Sequence, residues 1–182
     1  MRLGPYTEEL KRLELEKQAL AFLAQAFAET RNRPTRLIRG IASSGGPIVD
    51  EGDVRDYTID VKSVTFNLPV PLLLAHDWAQ LPIGRVIGLE VRGGSLRFRA
   101  EIINARWTDP TWERIVNGQL SGVSLTAQGS IAQNKLRHSI LREVSLVERA
   151  GDLGARLTKC STRSRVVSLR EPQEQVHWSV EA

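Results

Sequence analysis

Hydrophobic and polar residues alternate over several short stretches of the chain, a pattern that predicts β-strands. The alternation is clearest in residues 95–103, where Leu96, Phe98 and Ala100 stand between charged side chains. Other strand-like stretches are 35–42, 54–59, 70–74, 83–91, 122–127 and 139–147. Arg92 and the two glycines that follow it predict a tight hairpin between two of these strands. The pattern predicts a mainly β fold of the α+β class, for which a barrel with surrounding helices is one architecture.

A longer period near the N-terminus predicts an amphipathic helix between Thr7 and Thr30, because apolar residues recur there at spacings of three, four and seven. These residues are Leu10, Leu13, Leu20, Leu23 and Phe27. The apolar face of such a helix needs a partner. The partner is either the rest of the domain or another subunit or scaffold protein, and the sequence leaves both open.

A shorter helix is predicted at residues 109–116. Pro110 suits its first turn, where a backbone N–H is not needed, and Thr108 or Asp109 can act as the cap. Gly118 suits the end of this helix, since glycine accepts the left-handed conformation common there.

Composition changes along the chain predict three parts. Residues 1–34 form the N-terminal helix and a linker that contains Pro34, and residues 35–159 form the folded domain. Residues 160–182 are rich in Ser, Arg, Gln and Glu without a sustained period, which predicts a flexible polar tail.

Several classes of protein are not expected from the composition. No apolar run approaches the ~20 residues of a membrane span, and the N-terminus lacks the apolar core of a secretory signal. The single cysteine, Cys160, excludes an internal disulfide and a cysteine-based zinc site. The net charge of +4 comes from 25 basic residues scattered among 21 acidic ones, so nucleic acid is not an expected partner. No metal site and no cofactor motif is predicted.

Three segments contain candidate chemistry. His76 ends an apolar stretch, and histidine is the side chain whose charge changes near neutral pH. Ser121 and Ser124 flank Gly122 at the start of a predicted strand, where a glycine permits close backbone approach. Glu143 lies in the predicted strand 139–147, directly before the run from Val144 to Val147. Taken singly, each residue is also compatible with an ordinary structural role.

Taken in order, these segments resemble the prohead, or capsid-maturation, serine proteases of tailed bacteriophages, which are related to the herpesvirus protease assemblin. The resemblance rests on four blocks: Gly40 to Ala42 with Glu51 to Val54, Leu73 to Asp77 with Pro82 to Gly84, Leu120 to Ser124, and Glu143 to Val147. It covers about residues 36–158 and implies an assemblin-like β-barrel core.

The resemblance also implies a function, a serine endopeptidase with a Ser-His-Glu triad. Ser124 matches the nucleophile, His76 the general base and Glu143 the third member, while Ser121 is the alternative nucleophile. Both serines cannot face one site, because three residues along a strand reverse the facing direction. Arg149 matches the arginine on a loop that helps to form the oxyanion hole in assemblin. In this sequence Glu148 to Asp152 replace the Pro-Ala-Asn turn expected there.

The implied substrates are the major capsid protein, with its scaffold or delta segment, and the protease itself. The implied location is the interior of the procapsid in the host cell cytoplasm, and the implied assembly is a homodimer. A catalytically inactive scaffolding protein that keeps the protease fold is the alternative, with the N-terminal helix as its docking surface.

Overall fold

The computed structural model describes residues 5–50 and 53–163. The helices and strands are α1 (Pro5–Glu29), β1 (Thr35–Ser43), β2 (Pro47–Asp50), β3 (Asp53–Ile59), β4 (Val70–Leu74), β5 (Gly84–Arg92), β6 (Ser95–Ile102), α2 (Asp109–Val116), β7 (Gly122–Ala132), β8 (Lys135–Val147) and β9 (Arg156–Arg163). Two short 3-10 helices lie at Val61–Ser63 and Arg106–Thr108. The predicted mainly β class is confirmed.

Seven of the strands close into a barrel. Hydrogen-bonded neighbours run in the order β8, β4, β5, β6, β1, β9 and β7, and β7 pairs again with β8. The β2–β3 hairpin extends this sheet, because β3 pairs in parallel with the start of β8. The closed arrangement leaves the barrel strands without open edges at these pairings, as a small β fold requires.

The interior of the barrel is the main hydrophobic core. On β6, Leu96, Phe98 and Ala100 are buried in this core, while Arg97 and Arg99 on the opposite face are exposed. The predicted alternation is therefore confirmed for this strand. The same core receives side chains from β1, β4, β5, β7 and β8.

The N-terminal helix packs on the barrel through only part of the predicted stripe, Leu23 and Phe27. Leu23 and Ala26 are buried in a second cluster with Ile103, whereas Leu10 and Leu13 are 50% and 43% exposed. The reason is that the contact face includes alanines, whose small side chains allow the helix to approach the barrel closely. The prediction of one continuous apolar stripe is therefore wrong for Leu20 and for the N-terminal half of the helix, where Leu10 and Leu13 are exposed.

Polar contacts attach that N-terminal half to the barrel instead. The Arg12 guanidinium donates to the Gln128 side-chain oxygen of β7 at 2.6 Å. Arg142 of β8 donates to Gln128 at 2.7 Å and to Glu16 of α1 at 3.4 Å.

Within the described residues, no helix has both the length and the apolar character needed to cross a bilayer.

Strand β9 corrects the predicted boundary of the tail. Cys160 and the three residues after it pair with β1, with Cys160 opposite Ile38 and Thr162 opposite Arg36. These residues belong to the barrel wall, because backbone hydrogen bonding does not require the apolar pattern that was missing from the sequence. The rest of the predicted tail, residues 164–182, lies outside the described residues.

Candidate active site

The pairing of β7 with β8 sets up the site. Ser124 lies directly opposite Ser145, and Thr126 lies directly opposite Glu143. Directly opposed residues of an antiparallel pair point to the same side of the sheet, so these four side chains share one face. Val123 and Val144 occupy the other face and are buried in the core. Four polar side chains are thus collected outside the barrel interior.

His76 reaches this face from a tight turn after β4. Ala75 and His76 both have positive φ, at 52° and 59°, and the Asp77 N–H donates to the Leu74 carbonyl across the turn. Consecutive residues in the left-handed region are unfavourable for non-glycine side chains, and such strain persists only where surrounding contacts enforce it. One such contact is the His76 backbone N–H, which donates to the Ser145 hydroxyl at 3.0 Å.

The His76 side chain contacts Glu143. Its Nδ1 atom lies 2.6 Å from Glu143 Oε1. An ionised carboxylate can only accept, so Nδ1 carries the proton and donates in this hydrogen bond. The contact therefore fixes the imidazole in the tautomer that leaves Nε2 as its basic nitrogen.

Glu143 is fully buried and accepts two further hydrogen bonds. The Thr126 hydroxyl donates to Oε1 at 2.6 Å, and the Ser145 hydroxyl donates to Oε2 at 2.7 Å. A buried carboxylate is costly unless hydrogen bonds replace its lost water. With three donors, the arrangement can hold a charged side chain in a dry place.

A cavity of about 530 Å³ opens beside these residues. His76, Ser124, Thr126 and Arg149 contribute to its polar part. Apolar side chains from β2, β3, β7 and β8 line the remainder, among them Ile48, Tyr57, Ile59, Leu125 and Leu136. The cavity combines a polar end with an apolar wall, as sites for small ligands or peptide side chains commonly do.

The two candidate serines occupy different environments. Ser124 is half-buried and lines the cavity together with His76. Ser121 is exposed, precedes the first residue of β7, and is not among the described residues that line the cavity. Gly122 between them is needed for close packing, since a Cβ there would lie 2.7 Å from the Val147 carbonyl oxygen.

The loop that carries Arg149 is anchored by Asp152. Its buried carboxylate accepts from the Ser43 hydroxyl at 3.1 Å and from both the backbone N–H and the hydroxyl of Ser44. A backbone hydrogen bond from Val49 to the Gly151 carbonyl adds a second attachment. Arg149 therefore lies on a loop that is held at the edge of the cavity.

The structure brings together His76 and Glu143 by direct contact, and Ser124 and Arg149 by their common cavity. Sequence reasoning missed Thr126 and Ser145. A signal was present, because each stands two residues from a candidate residue on the same strand and so faces the same side. Among the residues the structure describes, no cluster of three or more His, Cys, Asp or Glu side chains could hold a metal ion.

Comparison with known proteins gives structural similarity only. No family model and no curated protein matches the chain. Among solved structures, the chain is similar to the protease of Kaposi's sarcoma-associated herpesvirus in complex with an allosteric inhibitor, with a TM-score of 0.48, 15% identity and coverage of 68% of this chain and 74% of that protein. The same protease with a hexapeptide phosphonate inhibitor gives a TM-score of 0.43 and 14% identity, covering 62% of this chain and 59% of that protein. In complex with a dimer disruptor it gives 0.47 and 13%, covering 68% and 75%.

Proposed function

We propose that this chain is a serine endopeptidase in which Ser124 is the nucleophile, His76 the general base and Glu143 the residue that orients the base. The observation that carries the proposal is the 2.6 Å contact between His76 and the buried Glu143, on the face of β7 and β8 that also holds Ser124. A serine hydroxyl needs an adjacent base at neutral pH, and the base needs a group that fixes its tautomer.

The proposed reaction proceeds through an acyl-enzyme. Ser124 Oγ attacks the carbonyl carbon of the peptide bond while His76 Nε2 takes the hydroxyl proton. The imidazolium then gives this proton to the departing amine as the C–N bond breaks. A water molecule attacks the ester in the same way, with His76 again as base, and releases the carboxylic acid and the free serine.

Backbone N–H groups near Ser124, or the loop that carries Arg149, would stabilise the oxyanion. Each donor in such a position is commonly worth about 3 kcal/mol of transition-state stabilisation. The anchoring of this loop by Asp152 supports the proposal, since a fixed donor needs no reorganisation during the reaction.

The proposed biological substrates are the major capsid protein, with its scaffold or delta segment, and the protease itself, inside a bacteriophage procapsid in the host cytoplasm. The support is the four sequence blocks that resemble the prohead protease family in the family's order. A homodimer is proposed on the same ground.

Labelling with a fluorophosphonate tests the catalytic proposal. We expect the reagent to modify Ser124, as located by mass spectrometry of peptides. Labelling should be lost in Ser124→Ala and in His76→Ala and kept in Ser121→Ala, which removes the neighbouring hydroxyl that lies outside the cavity. Labelling that persists in folded Ser124→Ala would refute the assignment of the nucleophile.

Co-expression with the capsid protein tests the substrate. Wild-type protease should shorten the capsid protein by a defined mass, and Ser124→Ala should leave it intact. A scaffolding protein without catalytic activity is the alternative, and the exposed Leu10, Leu13 and Leu20 of α1 favour it as a docking surface. Normal capsid assembly together with absent labelling would support that alternative.

A further inference from the structure

We propose that the hydroxyls of Thr126 and Ser145 are positioning groups that hold Glu143 in the one orientation in which it can orient His76. The inference rests on the proposed function and extends it to two residues outside the triad. In the hydrogen bonds described, these two residues contact Glu143 and His76 but not Ser124 or His76 Nε2, so both would act by positioning the carboxylate and the imidazole.

The two oxygens of the Glu143 carboxylate accept from different donors. Thr126 donates to Oε1, the same oxygen that accepts from His76 Nδ1, and Ser145 donates to Oε2. Because both oxygens already accept hydrogen bonds, rotation of the carboxylate would break those from the Thr126 and Ser145 hydroxyls together. The side chain of Glu143 is therefore fixed at both oxygens rather than at the His76 side alone.

The two hydroxyls also stabilise the negative charge of Glu143. Glu143 is fully buried, and its described partners are one imidazole and two neutral hydroxyls. A carboxylate in this setting remains charged only if hydrogen bonds replace its hydration. The two hydroxyls thus keep available the negative charge that stabilises the imidazolium formed during catalysis.

Ser145 connects the Glu143 carboxylate to the backbone of His76. The Ser145 hydroxyl accepts from the His76 backbone N–H while it donates to Glu143 Oε2. One buried side chain therefore sets both the strained turn that presents His76 and the carboxylate that His76 contacts. Thr126 Oγ1 also lies 3.4 Å from His76 Nδ1, so its hydroxyl is next to both partners of the His76–Glu143 contact.

Matched variants separate the hydroxyls from the shape of the side chains. Thr126→Val removes the hydroxyl and keeps the branched shape, whereas Thr126→Ser keeps the hydroxyl. Ser145→Ala has its control in Ser139→Ala, because Ser139 is also fully buried on β8 and its hydroxyl has no hydrogen-bond partner among the described residues.

The readouts are the rate of fluorophosphonate labelling at Ser124 and the downfield proton NMR signal of His76 Nδ1–H in the charge-assisted hydrogen bond. We expect Thr126→Val and Ser145→Ala each to label about 10- to 100-fold more slowly and to shift or lose the NMR signal. Thr126→Ser and Ser139→Ala should stay within about threefold of the wild type and keep the signal.

Equal labelling rates in Thr126→Val and Thr126→Ser, with wild-type labelling intact, would overturn the role of Thr126, and equal rates in Ser145→Ala and Ser139→Ala would overturn that of Ser145. If Thr126→Val fails to fold by circular dichroism, Thr126→Ala replaces it in the comparison with Thr126→Ser. Failure of the catalytic proposal is a different result, since the wild type itself would then not be labelled at Ser124.

Discussion

Replacing Glu143 by glutamine tests how the buried carboxylate acts on His76. Glutamine has the same shape and can turn its carbonyl oxygen toward His76 Nδ1 and Thr126. Its amide nitrogen then faces the Ser145 hydroxyl, which has a second lone pair and can accept a hydrogen bond. The substitution thus keeps the packing and the imidazole tautomer, removes the charge, and reverses the direction of the hydrogen bond with Ser145.

The expected loss of reaction rate in Glu143→Gln follows from these contacts. A hydrogen bond to a charged group is worth about 1.5–3 kcal/mol, against about 0.5–1.5 kcal/mol for a neutral one. Two unit charges about 4 Å apart interact by about 4 kcal/mol at an effective dielectric constant of 20. This value is an upper bound on how much the Glu143 charge stabilises the imidazolium of His76. A loss of about 2–4 kcal/mol corresponds to about 30- to 900-fold in rate. Loss of the correct tautomer would cost more, about 10⁴-fold.

The assay is the rate of fluorophosphonate labelling for Glu143→Gln, with thermal unfolding measured on the same sample. The control is Glu148→Gln, because Glu148 is 81% exposed and pairs only at the surface with Arg114. We expect the control to label at the wild-type rate. We also expect Glu143→Gln to unfold at a temperature no lower than the wild type, since it buries an amide instead of a charge.

A labelling rate within about threefold of the control would refute the reasoning, because the carboxylate charge would then contribute nothing to the base. A loss near 10⁴-fold in a folded variant would show that glutamine inverts the hydrogen bond and that the Ser145 hydroxyl does not accept from it. Unfolding of Glu143→Gln would show that the charge stabilises the fold itself.

Three further predictions concern the fold around the site. Leu23→Ala should lower the free energy of unfolding by about 2–5 kcal/mol, whereas Leu13→Ala should change it by less than about 0.5 kcal/mol; equal effects in denaturant titration would mean that α1 packs by its other face. Asp152→Ala should destabilise the protein by about 1.5–3 kcal/mol, and an unchanged unfolding midpoint would show that its loop is held by other contacts. A chain that ends at residue 159 should unfold at a lower temperature than one that ends at residue 163, because it lacks the end of β9; identical melting curves would contradict the pairing of that segment with β1.

Most strands were predictable because their side chains alternate between a buried and an exposed face. β6 is the clearest example, and its predicted range differs from the observed one by a single residue. β2 and β9 were missed, since β2 has only four residues and β9 is largely polar. Backbone pairing with a neighbouring strand stabilises such segments, and the partner is distant in sequence.

The leucines of α1 show a different limit of pattern reasoning. Their spacing correctly predicted a helix, and α1 spans Pro5–Glu29. The spacing placed Leu23 correctly on the buried face but not Leu10, Leu13 and Leu20, because Ala19 and Ala26 complete the buried face and allow closer packing than leucine does. Polar contacts from Arg12 to Gln128 then fix the other half of the helix, and no periodicity in the sequence encodes that pair.

The candidate site was predictable only as far as its residues stand in recognisable segments. His76, Ser124 and Glu143 came from the order of those segments in the chain, and their common face is a property of the structure. The turn at Ala75 and His76 could not be anticipated, because alanine is not among the residues that favour positive φ and the turn needs two such residues in a row. The loop at Asp152 was expected only as a departure from a family pattern.

The register of β7 against β8 determines whether this site exists at all. A slip of one residue would turn Ser124 and Thr126 toward the core and bring the apolar Val123 and Leu125 to the outer face. The register is specified by the burial of Val123, Val144 and Leu146, each of which is completely buried. A β-bulge places Arg142 as an extra residue between the pairs of Leu141 and Glu143, so that Leu141 faces the core although Glu143, two residues later, faces outward. The hydrophobic core thus positions the polar face, and the chemistry proposed for His76 depends on apolar side chains that lie on the other side of the sheet.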